Sequence, residues 1–441
     1  MNKCLVIICW VLLAACSAQK VIHRSAGNLL FKDTAIANAH VGISIYDANT
    51  DKYLYNYQGN KYFVPASNVK IFTCYAGLKY LGDSVPGMQY VDKGDSIYLF
   101  STGDPTFLHK DYVGQPVADF LRRQQKPLVI TASNWRDNAL GFGWTWDDYN
   151  SSYMAERSPL PVYGNIIRFI QTQDTSNAAA PEPVLFTEPD INWKINFNPD
   201  PATRIFSVRR QRESNIFRVT TGTEKQQREQ EVPFVTNGLQ SAVELLKDAV
   251  EKDLIIIEQM PSGTATRKTI YSRPTDSLLR PMMHRSDNFF AEQVVLMASN
   301  LKLGVMDDAR LMENLLNNDL KGLPQRPRWV DGSGLSRYNL FTPQDFVWIL
   351  NRMKDEFSFE RLKAIFPTGG QGTLRDYYKS DSGYLFAKTG TLSGHLALSG
   401  YIMTRKNKML IFSVIVNNHN GSAPAIRRRV EEFLREVTKN Y

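Results

Sequence analysis

The chain has 441 residues, 43% hydrophobic and 22% charged, with a formal net charge of +8. The length exceeds the ~250–300 residues at which single cores stop growing, so more than one domain is expected, and the ordinary globular composition gives no reason to suspect disorder. The positive charge suits an anionic envelope surface or polymer but also fits many other proteins, and nothing beyond it supports a nucleic-acid partner.

The first eighteen residues read as an export leader. Lys3 opens a short positive region, residues 4–13 form an apolar run too short to span a bilayer, and Leu13-Ala14-Ala15-Cys16 ends it in small residues. Leu-Ala-Ala-Cys resembles a bacterial lipobox, in which Cys16 becomes the lipidated first residue and anchors the mature protein to a membrane; an ordinary leader cut after Ala18 is the alternative. Either form exports the protein to the bacterial cell envelope, periplasmic and lipid-anchored if Cys16 is modified. Cys4 and Cys9 leave with the leader, so Cys74 remains as the thiol of the folded chain and no intrachain disulfide is expected. The histidines show no HExxH or paired spacing and no cysteine cluster accompanies them, so neither a metal nor another cofactor is expected.

Residues 40–46 alternate like a strand, residues 49–51 make a turn and residues 53–57 return, which predicts a hairpin. Pro65-Ala66 leads into a helix over about 67–81, with Ile71, Phe72, Tyr75, Leu78 and Leu81 on one face. Residues 82–236 are rich in Pro, Gly and Asn with short alternating runs, which predicts a β-rich inserted module. Regular helices resume with residues 240–251 and 286–299, and Thr342-Pro343 starts another with proline at the first helical position. Strand-like stretches at 384–388, 395–404 and 409–416 precede a last helix over 423–437. Helices with a terminal antiparallel meander indicate the α+β class.

Three short words carry chemistry. In Ser67-Asn68-Val69-Lys70 the hydroxyl and the amine lie three apart, so a helix brings them to one face. A serine hydroxyl is a poor nucleophile unless a base takes its proton, and a lysine becomes such a base when burial and nearby positive charge lower its pKa. In Ser286-Asp287-Asn288 the hydroxyl could relay a leaving-group proton and the amide could hold Lys70 and the substrate backbone, while Asp287 points away; the plain reading is a polar helix start. In Lys388-Thr389-Gly390-Thr391 the cation and the Thr389 hydroxyl could hold a carboxylate, and Gly390 allows close approach. The Thr391 N–H could join that of Ser67 as an oxyanion hole. The plain reading there is a strand-edge lysine.

Together these words resemble the penicillin-recognising serine enzymes, and more narrowly the class C low-molecular-mass penicillin-binding proteins, D-Ala-D-Ala carboxypeptidases and endopeptidases. Further stretches carry the narrower likeness: Gly103-Asp104-Pro105-Thr106, Gly143-Trp144-Thr145-Trp146-Asp147-Asp148-Tyr149, Asp331-Gly332-Ser333-Gly334-Leu335-Ser336-Arg337 and Gly372-Thr373-Leu374. The resemblance implies a β-lactamase/transpeptidase-like catalytic domain, an antiparallel sheet flanked by helices, built from about 19–83 and 237–441 and split by an insertion over 84–236. It implies Ser67 as nucleophile, Lys70 as general base, Ser286 as proton relay, Asn288 and Lys388 as further catalytic groups, and Thr389, Gly390, Thr391 and Asp148 as substrate-binding residues. Peptidoglycan stem peptides are then the substrates and β-lactams acylating inhibitors.

Rival readings stand beside it: a β-lactamase or esterase of the same fold, or a non-hydrolytic penicillin-binding sensor or scaffold. Glu313-Asn314-Leu315-Leu316-Asn317 matches a deacylating-glutamate pattern, but Leu311, Leu315, Leu316 and Leu320 describe an ordinary helix. Asp148 also reads as a turn carboxylate. Arg209, Arg210 and Arg212 read as a solvated strand face rather than a polyanion patch, His395 as packed or exposed rather than catalytic, and residues 331–337 as a tight loop near the active site with a mainly structural job.

Overall fold

The computed structural model describes residues 19–174, 182–197, 205–222, 226–260 and 266–441. The expected leader, with Cys16 and the alternative cut after Ala18, lies outside them. In chain order the elements begin with the hairpin β1 (His40–Asp47) and β2 (Lys52–Tyr57), helix α1 (Lys70–Tyr80), β3 (Ser84–Lys93), β4 (Ser96–Ser101), α2 (Pro116–Arg123) and β5 (Leu128–Thr131). Then come β6 (Ile166–Asp174), β7 (Glu182–Glu188), β8 (Ile195–Phe197), β9 (Ser207–Arg210), β10 (Phe217–Thr220), β11 (Arg228–Pro233), α3 (Gln240–Val250), β12 (Leu254–Ile256) and β13 (Lys268–Pro274). The remainder is α4 (Thr275–His284), α5 (Asn288–Leu303), α6 (Asp308–Asn317), α7 (Pro343–Glu356), α8 (Phe359–Ile365), β14 (Leu385–Leu392), β15 (His395–Met403), β16 (Met409–Asn417) and α9 (Ala423–Asn440).

Of the described residues, those within 19–75, 279–287 and 312–441 form one compact unit, and those within 76–278 and 288–311 a second. The first is organised by an antiparallel sheet of order β14-β15-β16-β1-β2. β16 reads MLIFSVIVN and is buried almost throughout, because both faces of the sheet are covered. On one face Val41, Ile43, Leu398, Val414 and Val416 pack against Ile426, Val430, Phe433, Leu434 and Val437 of α9, a stripe at helical spacing. On the other, α7 begins with the capping box its sequence announces: the Thr342 hydroxyl accepts from the Asp345 N–H, and the Asp345 carboxylate accepts from the Thr342 N–H. Phe72 of α1 meets Trp329, Phe341 and Phe346 ring to ring, which fixes the depth at which α1 is held.

The second unit contains a mixed sheet of order β12-β5-β4-β3-β13 and two three-stranded sheets, β8-β10-β9 and β11-β6-β7. Its extent corrects the boundaries expected from the sequence. Residues 237–278 belong to it rather than to the catalytic part, because Leu239, Leu245, Leu246, Val250 and Leu254 share one apolar core with Leu121, Ile130 and Phe234, and because β13 pairs with β3. Arg210 is a second correction. It is buried, and its guanidinium donates to the carbonyls of Pro233, Gln211 and Arg212, so it braces the unit instead of facing solvent.

Among the described residues no helix is long and apolar enough to cross a membrane, and Cys74 is buried and not part of a disulfide. Glu313 lies in the regular helix α6, exposed and ion-paired to Arg326.

Candidate active site

The first word sits where the helix changes type. Residues Ala66–Val69 form a 3-10 turn and α1 begins at Lys70; Ala66 is held at φ 49°, a conformation a non-glycine residue adopts at a cost. This geometry leaves Ser67 Oγ 3.1 Å from Lys70 Nζ. Lys70 is buried and also donates to the Ser333 carbonyl at 2.7 Å, and one turn on, the Thr73 hydroxyl donates to the Gly332 carbonyl at 2.6 Å.

The loop carrying Ser333 is rigid for a visible reason. The buried Asp331 carboxylate accepts from the N–H groups of Gly334 and Ser336 and from the Asn339 amide. Gly334 has φ 83°, and a Cβ there would lie 2.0 Å from the Ala66 carbonyl oxygen, so only glycine lets the loop close over the nucleophile's turn. Asn68 points the other way, donating to the Ser399 hydroxyl at 2.7 Å, which in turn donates to that of Ser413 and ties the turn to β15 and β16.

Lys388 lies on β14 with no exposed surface. Its ammonium donates to Ser286 Oγ at 2.9 Å and to its neighbour's carbonyl, that of Thr389, at 2.7 Å. Burial, and then the positive charge of Lys70, push the Lys388 amine well below the ordinary lysine value. Ser286 itself has φ 61°, so the second word begins on a strained residue, as functional turns often do. Asp287 lies 3.8 Å from Arg285. Just upstream, His284 presents a buried Nε2 without a hydrogen-bond partner among the described residues; burial, followed by Arg280, lowers its pKa to about 4.

β14 is an edge strand, and on its outer side the Ala387 N–H donates to the Pro367 carbonyl. Since backbone groups alternate in direction along a strand, the N–H groups of Thr389 and Thr391 point to that same outer side. Gly390 faces the nucleophile's turn: a Cβ there would stand 2.4 Å from the Pro65 carbonyl oxygen and 3.1 Å from the Asn68 nitrogen. Thr389 Oγ1 is 2.8 Å from that of Thr373, in the Gly372-Thr373-Leu374 turn, and Thr391 Oγ1 accepts from Arg427.

Asn288 and Asp148 belong to the second unit. Asn288 opens α5 and its amide donates to the Tyr153 carbonyl at 3.0 Å. Asp148 lies in the turn Trp146–Asn150, near Tyr153, whose hydroxyl pKa is raised by burial and then by the Asp148 carboxylate. His395 is occupied by the Ser393 carbonyl and Arg337. Sequence reasoning missed the Ser333 carbonyl on Lys70, the Thr373 hydroxyl on Thr389, and Arg427.

A serine beside one buried lysine, a second serine on another, and a glycine-bearing edge strand on an α+β frame define the penicillin-recognising serine enzymes as the class. A sequence model of the D-Ala-D-Ala carboxypeptidase 3 (S13) family matches residues 27–437, nearly the whole described chain. The protein belongs to that family: it is a serine peptidase of the low-molecular-mass, class C penicillin-binding kind. The D-alanyl-D-alanine carboxypeptidase of Actinomadura sp. is 26% identical, covering 95% of this chain and 86% of its own. The D-alanyl-D-alanine carboxypeptidase DacB of Haemophilus influenzae is 21% identical over 87% of this chain and 86% of its own. Among solved structures, penicillin-binding protein 4 of H. influenzae superposes with a TM-score of 0.74 at 17% identity, covering 95% of this chain and 99% of that one.

Proposed function

We propose that this protein hydrolyses peptide bonds at the D-Ala-D-Ala ends of peptidoglycan stem peptides, and those of D-Ala cross-bridges, through an acyl-enzyme on Ser67. Lys70 takes the proton of the Ser67 hydroxyl as Oγ attacks the carbonyl of the penultimate D-Ala. The C–N bond then breaks, and the departing amine receives a proton through Ser286, which Lys388 holds in place. Water attacks the resulting ester, its C–O bond to Ser67 breaks, and the serine recovers its proton. The N–H groups of Ser67 and Thr391 stabilise the oxyanion of each tetrahedral intermediate. Gly390 keeps β14 close to the nucleophile, and the hydroxyls of Thr389 and Thr391 receive the terminal carboxylate.

Asn288 keeps the part its motif suggests, a carboxamide for the substrate backbone, and Asp148 a contact to the diamino-acid side chain. The enzyme works in the cell envelope, where its relatives' substrate is found, and Cys16 is the candidate for lipidation. β-Lactams acylate the same serine.

The observation that carries this reading is the pair of buried amines, each within hydrogen-bond distance of a serine hydroxyl: Lys70 at 3.1 Å from Ser67 and Lys388 at 2.9 Å from Ser286. Labelled penicillin attaches to the wild type and not to Ser67→Ala. Stable labelling of that variant would remove Ser67 as the nucleophile.

A further inference from the structure

Helix α9 opens against an electrostatic rule. Its first turn contains no acidic residue, and Arg427, Arg428 and Arg429 follow within two turns of its N-terminus, the end where the macrodipole already presents positive charge. Two of these arginines are neutralised. Arg428 pairs with Glu431 at 2.7 Å, and Arg429 with Asp33 at 2.7 Å and Glu432 at 2.8 Å. Arg427 differs: its Nη2 donates at 2.8 Å to the Thr391 hydroxyl, its guanidinium lies 5.9 Å from the Tyr377 ring centre, and among the described residues no carboxylate lies within ion-pair distance of it. Its charge is thus delivered to the end of β14.

The hydrogen bond has a direction that matters. A guanidinium can only donate, so Thr391 Oγ1 accepts, and its single O–H must point elsewhere. Thr391 is exposed, so that O–H is available to a ligand at the edge strand. Thr389 is different, because its hydroxyl faces another hydroxyl, that of Thr373, and the two can exchange donor and acceptor roles. Only Thr391 is held as a donor, and it is backed by a full positive charge.

We infer that Arg427 is a specificity residue for substrates with a free carboxylate beside the scissile bond, acting through Thr391 as a positioning group. Part of this rests on the reading of β14 as the strand that receives the substrate's terminus. The test compares a peptide ending in D-Ala-D-Ala carboxylate with the same peptide ending in carboxamide, and benzylpenicillin with its methyl ester, on the wild type, Arg427→Gln and Arg427→Lys.

The Gln variant lowers the carboxylate-to-neutral ratio of kcat/KM, and of penicillin acylation, by roughly tenfold, mainly through KM, as expected for loss of one charge-assisted contact. The Lys variant restores the ratio to within about threefold of wild type, since the charge returns without the planar fork. Equal losses on charged and neutral partners, or an unchanged ratio in a folded Gln variant, would overturn the assignment. A wild type that turns over neither peptide but still discriminates between the penicillins would refute the peptidase reading and leave Arg427 standing; one that reacts with none of the four would refute both.

Discussion

In the first unit Lys388 is buried against a hydroxyl and a carbonyl, whereas in the second unit Arg157 is buried against three carboxylates. Arg157 is 2% exposed; its guanidinium reaches Asp137 at 2.7 Å, Asp308 at 2.5 Å and Glu292 at 3.5 Å, and it lies over the Trp144 ring. Burial works against its charge, but the carboxylates outweigh burial and hold the group above the ordinary arginine value. Among the described residues Lys388 has only neutral oxygens to compensate burial, and Lys70 adds repulsion, so its proton is loosely held. The same event, a cation taken out of water, thus locks a charge in one unit and loosens a proton in the other. The partners decide which, and lysine suits the second task because its proton can leave at all.

Removing each cation should therefore give opposite signatures. The largest effect is expected from Arg157→Met, which strands three acids in the second unit and costs about 3–5 kcal/mol of stability at neutral pH. Burial already raises the Asp308 pKa, so the deficit should shrink on acidification as the carboxylates take up protons. Thermal unfolding followed by circular dichroism at pH 7 and pH 5 measures both; an equal deficit at the two pH values would break the comparison.

Lys388→Met should do the reverse. Penicillin acylation and peptide hydrolysis fall by roughly 10²–10³-fold, while the melting temperature stays level or rises, because an uncompensated buried charge has been removed. A variant that melts well below wild type would make Lys388 a structural residue like Arg157.

A smaller effect concerns His284, next to the second word. Its folded pKa, about 4, lies below the unfolded 6.5, so the unfolded chain binds the proton more readily and stability is lost as pH falls from about 6.5 towards 4. For a half-buried ring this amounts to on the order of 1–2 kcal/mol after solvent screening. Denaturant midpoints of His284→Gln across this range should show a flatter acid limb, and an unchanged slope would contradict the assignment. Smallest of all is Glu313→Gln, an exposed ion-pair partner in a regular helix. Release of the penicilloyl group should change by less than about twofold, whereas a large slowing would revive the β-lactamase alternative.

Some of this was readable from the residues. The contact of Ser67 with Lys70 follows from a spacing of three, and the meander β14–β16 and α9 follow from alternation and helical period, because each depends on local geometry. The meeting of Ser286 with Lys388, 388 − 286 = 102 residues apart, has no local signature and was carried by motif likeness alone. The Ser333 carbonyl was invisible because a backbone group has no residue type to flag it. Helical pattern resumes at 237, which suggests a domain boundary there, yet pattern does not say which core a helix joins. Arg210 had a signal: in Ser207-Val208-Arg209-Arg210 it shares the inward face with Val208 by the period of two, so its burial was available from the strand.

The central claim is that Ser67 alone takes the acyl group, and digestion of the penicillin-treated protein followed by mass spectrometry of its peptides tests it most directly. The added mass of one opened β-lactam should map to Ser67. An adduct on Ser286 or Ser333, or no adduct on folded protein, would contradict it.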